Sequence, residues 1–189
     1  MTFDPTSIRS AISREFATLA FAREEFPMLT NWGVKDESVC VHSLGFNYLA
    51  ALGRHLGFWA ATEYGIRVGR GFIRPDVVWW SRPAGRIALI GEFERFEAGQ
   101  NARLVDKSKN LMLSYEALGR TPSALLLVPW TLAGTDISDT HSARGVAHDG
   151  FRADDGRLIH GVGTDATFLL AHAIFGQSAE LLRLLEVKP

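Results

Sequence analysis

The chain has 189 residues, of which 47% are hydrophobic and 22% are charged, values ordinary for one globular domain. Its 20 basic and 21 acidic residues give a net charge of −1, which argues against a strongly basic, non-specific nucleic-acid binder but permits a local basic cleft. The single cysteine excludes a disulfide framework within the chain. No apolar run approaches the ~20 residues that a membrane span needs, and the first residues lack a signal-peptide layout. We therefore expect a single cytoplasmic domain over residues 1–189, without a membrane partner.

The N-terminal part of the chain contains two predicted helices. The first covers residues 5–26, where apolar residues recur at near-helical spacing after a proline that suits a first turn. The second covers residues 39–61 and is strongest from Ser43, which can cap it. Gly45, Gly53 and Gly57 weaken this helix, so we expect such glycines to allow close packing against a sheet.

The hydrophobic period then changes to that of strands. Residues 61–68, 72–80 and 86–93 are rich in β-branched and aromatic side chains and are separated by turns. Residues 101–118 are amphipathic and predict a helix, and the apolar run 123–130 predicts a buried strand. A strand, a helix and a buried strand in this order predict a right-handed parallel crossover.

The last part of the chain has weaker patterns. Residues 131–150 are rich in Gly, Asp, Ser and Thr and are interpreted as loop, and 151–162 predict a hairpin around an Asp-Asp-Gly turn. Residues 167–175 suit a strand or a helix, and 178–186 suggest a short terminal helix. Together the elements predict an α/β protein with a mixed β-sheet core flanked by helices, in the order helix, three strands, helix, strand.

Three acidic residues lie on the second and third predicted strands, and we call Asp76, Glu92 and Glu94 the carboxylate cluster. Alternate residues of a strand share a face, so Glu92 and Glu94 point the same way. If the two strands form a hairpin, the start of one lies beside the end of the other, which brings Asp76 close to both. Like charges at one site repel unless a cation intervenes, and oxygen ligands favour Mg²⁺ or Mn²⁺. Such an ion polarises a phosphoryl oxygen and orients a water, as phosphodiester hydrolysis requires.

Pro75-Asp76 and Glu92-Phe93-Glu94, within the element order of residues 43–130, resemble the PD-(D/E)XK nuclease superfamily. The resemblance implies a restriction-endonuclease-like core over about 43–130, with the helix 5–26 before it and an extension, 131–189, after it. It also implies a Mg²⁺-dependent nuclease that hydrolyses phosphodiester bonds of nucleic acid, DNA above all, with Asp76 and Glu92 as metal ligands. Since family members often place another Glu before the core hairpin, Glu63 is the candidate for a third ligand.

The sequence departs from the family pattern at Glu94, where the family usually has Lys. Some restriction endonucleases of the superfamily carry Glu there, and in other relatives a Lys from the next helix reaches the site. Lys107 is the candidate for that lysine, so the predicted catalytic set is the carboxylate cluster with Lys107. Arg74 and Arg95 flank the carboxylates in sequence and are candidates for contacts with nucleic-acid phosphates.

Three other interpretations remain open from the residues alone. Glu92 and Glu94 are also compatible with solvated residues at the end of a buried strand. The near-neutral charge and the missing motif lysine suit a non-catalytic restriction-endonuclease-like module that binds nucleic acid or supports assembly. Aromatic residues that look exposed suit a homodimer interface, among them Trp32, Trp59 and Trp130. The six histidines show no zinc spacing.

Overall fold

The computed structural model describes residues 5–37, 40–82, 84–97, 99–135, 137 and 140–188. Within them, the α-helices are α1 (Pro5–Thr18), α2 (Ala20–Glu25), α3 (Cys40–His55), α4 (Asn101–Ala117) and α5 (Thr140–Asp149), with a π-helical turn at Met28–Trp32. The strands are β1 (Phe58–Thr62), β2 (Ile66–Val68), β3 (Gly71–Ile73), β4 (Val77–Ser81), β5 (Ile87–Arg95), β6 (Ala124–Leu132), β7 (Phe151–Arg152), β8 (Leu158–Ile159), β9 (Thr167–Leu170), β10 (His172–Ser178) and β11 (Leu181–Lys188). The predicted mixed α/β architecture is thus confirmed.

The main sheet is mixed in direction. Strands β1, β4 and β5 form an antiparallel meander, and β6 lies parallel to β5 after the α4 crossover. Strands β9 and β10 follow one another along the other side of β6, both parallel to it, and β11 closes the sheet antiparallel to β10. The crossover predicted from residues 86–130 is therefore present, and the chain after residue 166 continues the same sheet.

Helices cover both faces of the sheet and bury two apolar layers. One layer includes Val77, Trp79 and Phe93 and packs beneath α1 and α3. The other includes Val78 and Ile90 and packs beneath α4 and α5. Alternation along β5 then places Glu92 and Glu94 on the α4 face, because they share the parity of Ile90.

The predicted close approach of α3 to the sheet is confirmed at Gly45 and Gly53 and is wrong at Gly57, which follows the helix with a φ of 92° and where a Cβ would meet nothing within 4 Å. A Cβ atom at Gly45 would overlap the Phe93 ring, and one at Gly53 would lie 2.5 Å from Trp79 Nε1. Trp79 Nε1 itself donates a hydrogen bond of 3.1 Å to the Leu49 carbonyl. A side chain at Gly45 or Gly53 would therefore push α3 away from the strands that carry the carboxylate cluster.

The prediction of a single N-terminal helix over 5–26 is wrong. Leu19 adopts a left-handed conformation with a φ of 52° and separates α1 from α2. The Glu15 carboxylate accepts 3.0 Å hydrogen bonds from the N–H groups of Phe21 and Ala22, and Tyr48 Oη donates to it at 3.0 Å. The buried Glu15 carboxylate thus accepts hydrogen bonds from the free N–H groups at the amino end of α2. The hydrophobic periodicity of the sequence does not reveal this break between two helices.

The predicted helix over 39–61 ends earlier, at His55, and Phe58–Thr62 is strand β1 instead. The predicted strands 61–68 and 72–80 are each divided. Glu63 has a φ of 51°, which interrupts the first, and Pro75 lacks the N–H that a continuous ladder would need in the second. The result is an inserted hairpin, β2–β3, between β1 and β4. Val39 lies outside the described residues.

The C-terminal assignments change most. The predicted loop over 131–150 contains helix α5, and its residues 136, 138 and 139 lie outside the described ones. The predicted helix 178–186 is wrong, because its residues form β11, where Leu182 and Leu184 alternate into the core and pairing with β10 overrides helix propensity. The hairpin predicted within 151–162 is confirmed as β7–β8, and 167–175 belongs to β9 and β10. None of the described helices has the length and apolar character that crossing a membrane requires.

Replacement of Gly45 by Ala tests the close packing of α3. The added methyl group meets the buried Phe93 ring, so we expect the free energy of unfolding to fall by about 1–3 kcal/mol, although Ala favours a helix. The matched control is Gly145→Ala in α5, where a Cβ would meet only Asp149 Oδ2 at 3.8 Å, and about 0.5–1 kcal/mol of stabilisation is expected. Urea unfolding measures both variants, and equal stabilisation of the two would contradict the packing described.

Candidate carboxylate site

The β4–β5 pairing places Asp76 beside Glu92. Val77 lies opposite Gly91 in the antiparallel register, so the residues that precede and follow this pair are neighbours. Asp76 Oδ2 accepts a 2.7 Å hydrogen bond from the Phe93 N–H, and Asp76 Oδ1 lies 3.5 Å from His42 Nε2. Asp76 is therefore fixed at the mouth of the hairpin by the strand that carries the other two carboxylates.

Lys107 reaches the carboxylate cluster from α4. Its Nζ atom lies 2.8 Å from Glu92 Oε2 and 2.9 Å from Glu94 Oε2. Leu104, one helical turn earlier, is buried in the layer between α4 and the sheet, which directs Lys107 toward the same face of β5. Arg103 of the preceding turn donates a hydrogen bond to Glu94 Oε1. The two glutamates thus lie against two cations of α4.

The electrostatics of the site are set by burial. Glu92 is 2% exposed, and burial together with the charge of Asp76 raises its pKa to about 7, against the opposing attraction of Lys107. Burial disfavours the charge of Lys107, but the attraction and hydrogen bonds of Glu92 and Glu94 outweigh it and raise the pKa of Lys107. The hydrogen bond to Asp76 raises the pKa of His42, against partial burial. Near neutral pH the site therefore holds a charged lysine beside a glutamate that titrates.

The remaining predicted residues lie at the border of this site. The Glu63 N–H donates a 3.2 Å hydrogen bond to the Asp76 carbonyl, but among described residues its exposed side chain forms no ion pair. The same holds for the exposed Arg74. Arg95 Nη1 lies 3.0 Å from Asp36 Oδ2, and its guanidinium lies over the Trp130 ring at 5.3 Å from the centroid.

Two residues at the site, His42 and Arg103, do not belong to the catalytic, metal-binding or phosphate-contacting residues predicted from the sequence. His42 lies in the first turn of α3, far from the acidic motifs in sequence, and only the packing of α3 on β5 brings it to Asp76. Arg103 precedes Lys107 by four residues, and this one-turn spacing on a helix facing two glutamates was the available signal. Trp130, which looked exposed from sequence, is buried, whereas Trp32 and Trp59 are exposed.

A cleft of about 370 Å³ opens beside the carboxylates. Its lining residues are Asp36, His42, Glu94, Arg95, Arg103 and Trp130. A second cleft of about 300 Å³ shares Asp36 and Arg95 with it and continues toward β11. The space next to Glu94 is therefore open to a ligand and is bordered by two arginines. Among the described residues, no group of three or more His, Cys, Asp or Glu side chains is arranged to hold a metal ion.

Comparisons with protein-family models, with curated proteins and with solved structures find no match for this chain. The resemblance of its acidic motifs to the PD-(D/E)XK superfamily therefore remains an expectation from the residues.

The raised pKa of Glu92 predicts how the stability of the protein depends on pH without divalent ions. An acid whose pKa rises on folding stabilises the fold below its unfolded pKa of 4.5, and this contribution is lost as pH rises through about 7. From pH 5 to pH 8 we expect wild type to lose roughly 2–3 kcal/mol relative to Glu92→Gln. Urea unfolding in EDTA measures this, with Glu186→Gln on the exposed edge of β11 as control. A Glu92→Gln variant with the same pH dependence as wild type would contradict the prediction.

Proposed function

We propose that this protein is a Mg²⁺- or Mn²⁺-dependent nuclease of the restriction-endonuclease-like kind that hydrolyses phosphodiester bonds of nucleic acid, with DNA as the favoured substrate. The observation that carries the proposal is the position of Lys107 Nζ, which lies 2.8 Å from Glu92 and 2.9 Å from Glu94. Both glutamates lie on β5, and Asp76 directly precedes β4, the strand that pairs with β5. A lysine from the helix after the motif strands is one of the arrangements that the family resemblance implies.

The order of the elements around the site supports the same proposal. Helix α3, strands β1, β4 and β5, helix α4 and strand β6 follow one another in the order expected of the restriction-endonuclease-like core. Strands β1, β4 and β5 are antiparallel, and β6 is parallel to β5. The hairpin β2–β3 is then an insertion between the first two core strands, and β9–β11 extend the sheet beyond β6.

The donor atoms at the site fit Mg²⁺. This ion takes one or two protein carboxylates and completes its shell with water and substrate phosphate, and Asp76 and Glu92 would hold it. Burial and the charge of Asp76 raise the pKa of Glu92 against the attraction of Lys107, so a further positive charge at this position would favour the ionised carboxylate. A bound Mg²⁺ would supply this positive charge and act as a Lewis acid toward a phosphoryl oxygen. Glu63 remains a proposed further ligand, because its backbone adjoins Asp76.

The other residues have roles that follow from their contacts. Glu94 accepts hydrogen bonds and is held by Arg103 and Lys107, so it suits the orientation of an attacking water. Lys107 partly balances the charge of both glutamates and can donate to a phosphate oxygen in the adjoining cleft. His42 keeps Asp76 Oδ1 in place from the α3 side. Arg95 borders the cleft and is proposed to contact a substrate phosphate.

Cleavage assays with purified protein test the proposal. Asp76→Asn and Glu92→Gln remove carboxylate charge from the metal position, so we expect Mg²⁺-dependent cleavage of DNA to fall on the order of 10²-fold or more, and Lys107→Met to reduce it as well. The matched controls are Asp155→Asn, Glu186→Gln and Lys188→Met, whose ion pairs are exposed. Equal Mg²⁺-dependent cleavage by wild type, Asp76→Asn and Glu92→Gln would contradict the proposed nuclease site.

A second candidate is a non-catalytic module of the same fold that binds nucleic acid. The observation that favours it is that the protein's own cations Lys107 and Arg103 already engage Glu92 and Glu94, at a site where the motif lysine is replaced by Glu94. Binding of DNA without any cleavage in Mg²⁺ or Mn²⁺ would support this candidate and overturn the first.

A further inference from the structure

The inserted hairpin β2–β3 has an apolar face fixed against the body of the protein. Its register pairs Ile66 with Ile73, Arg67 with Phe72 and Val68 with Gly71. Ile66 is buried and Val68 packs partly buried in the apolar layer beneath α4. Because side chains alternate along a strand, the Arg67 and Phe72 pair lies on the other, outer face, with Arg67 at the rim of a cleft that Glu116 of α4 and Arg157 also line.

The outer face of the hairpin is basic. Arg67 and Phe72 are exposed, Phe72 by 65%, and the exposed Arg70 and Arg74 lie at the turn and just after β3. The sequence from Gly65 to Pro75 contains no Asp or Glu, and none of these three arginines forms an ion pair with any described residue.

Four arginines elsewhere in the chain, Arg95, Arg103, Arg120 and Arg157, each contact a carboxylate, whereas the hairpin arginines belong to those without an ion pair among the described residues. The hairpin is distinguished by placing three such arginines within eight consecutive residues, in a chain whose net charge is −1. A local field of this kind attracts an anionic partner even when the whole protein is near neutral.

The hairpin leads directly into the carboxylate site. Arg74 and Pro75 immediately precede Asp76, and at ~3.3 Å per extended residue Arg74 lies within about 7 Å of Asp76 along the chain. The tip at Arg70 lies up to about 20 Å from Asp76 by the same measure. A polyanion bound along the outer face would thus extend toward the carboxylates.

We infer that the β2–β3 hairpin docks duplex DNA, with Arg67, Arg70 and Arg74 on its phosphates and Phe72 in apolar contact with the sugars or base edges. Arginine matches phosphate oxygens with paired donors, and the major groove of B-form DNA, about 12 Å wide, admits a two-stranded ribbon. The deep, narrow major groove of double-stranded RNA does not. The inference rests on the proposed function, for which it supplies the substrate class and the element that positions it.

Fluorescence anisotropy with labelled duplex DNA in EDTA tests the inference without any cleavage. The test variant is Arg67→Gln/Arg70→Gln/Arg74→Gln. The control, Arg9→Gln/Arg14→Gln/Arg23→Gln, removes the same charge from exposed arginines of α1 and α2, which also lack ion pairs with described residues. We expect the hairpin variant to bind roughly tenfold or more weakly, and the slope of log affinity against log salt to flatten by about 2–3. The control should retain wild-type binding.

The outcomes separate this inference from the proposed nuclease function. Wild-type affinity in the hairpin variant, an equal loss in the control, or preferential binding of single-stranded DNA or double-stranded RNA by wild type would each overturn the inference. Asp76→Asn retains Arg67, Arg70 and Arg74, so loss of Mg²⁺-dependent cleavage in this variant reports on the carboxylate site and not on the β2–β3 hairpin. Hairpin-dependent binding without cleavage by wild type would support the docking role and overturn only the nuclease proposal.

Discussion

The antiparallel pairing of β4 with β5 is the constraint on which the candidate site depends. A one-residue slip of this register would turn Glu92 and Glu94 to the α3 face and separate them from the cations of α4. The register with Val77 opposite Gly91 is reinforced by the Asp76 side chain, which accepts the Phe93 N–H at 2.7 Å. Asp76, which we propose as a metal ligand, therefore also fixes the β4–β5 hairpin. Replacing it with Ala would remove both the carboxylate charge and this hydrogen bond, whereas Asn keeps an oxygen that can accept the bond.

Charge balance explains how the carboxylate cluster exists at all in a buried position. Lys107, Arg103 and His42 each contact one or two of its members, since unpaired buried charges are costly. At Glu92, burial and the charge of Asp76 raise the pKa to about 7 against the attraction of Lys107. A divalent cation bound there would lower this pKa again, which links metal binding to pH and to the stability of the fold.

Predictions from the sequence were most reliable for segments whose local hydrophobic pattern agrees with their packing in the folded protein. Alternation and the β5–α4–β6 order gave the crossover, and the proximity of Asp76, Glu92 and Glu94 followed from a hairpin. Lys107 was found only through a family resemblance, and His42 was missed because its contact is formed by helix packing. The helix predicted over 178–186 is wrong, because pairing of β11 with β10 outweighs the helix propensity of a leucine-rich segment.

The most direct test of the account is an anomalous difference map from crystals grown with Mn²⁺. The account predicts a Mn²⁺ peak within about 2 Å of carboxylate oxygens of both Asp76 and Glu92, with Lys107 Nζ moved away from Glu92. The same map from Glu92→Gln crystals should lack the peak. The claim that Asp76 and Glu92 bind a divalent metal ion would be contradicted by wild-type crystals at saturating Mn²⁺ in which no metal density lies between these residues and the Lys107–Glu92 ion pair is unchanged.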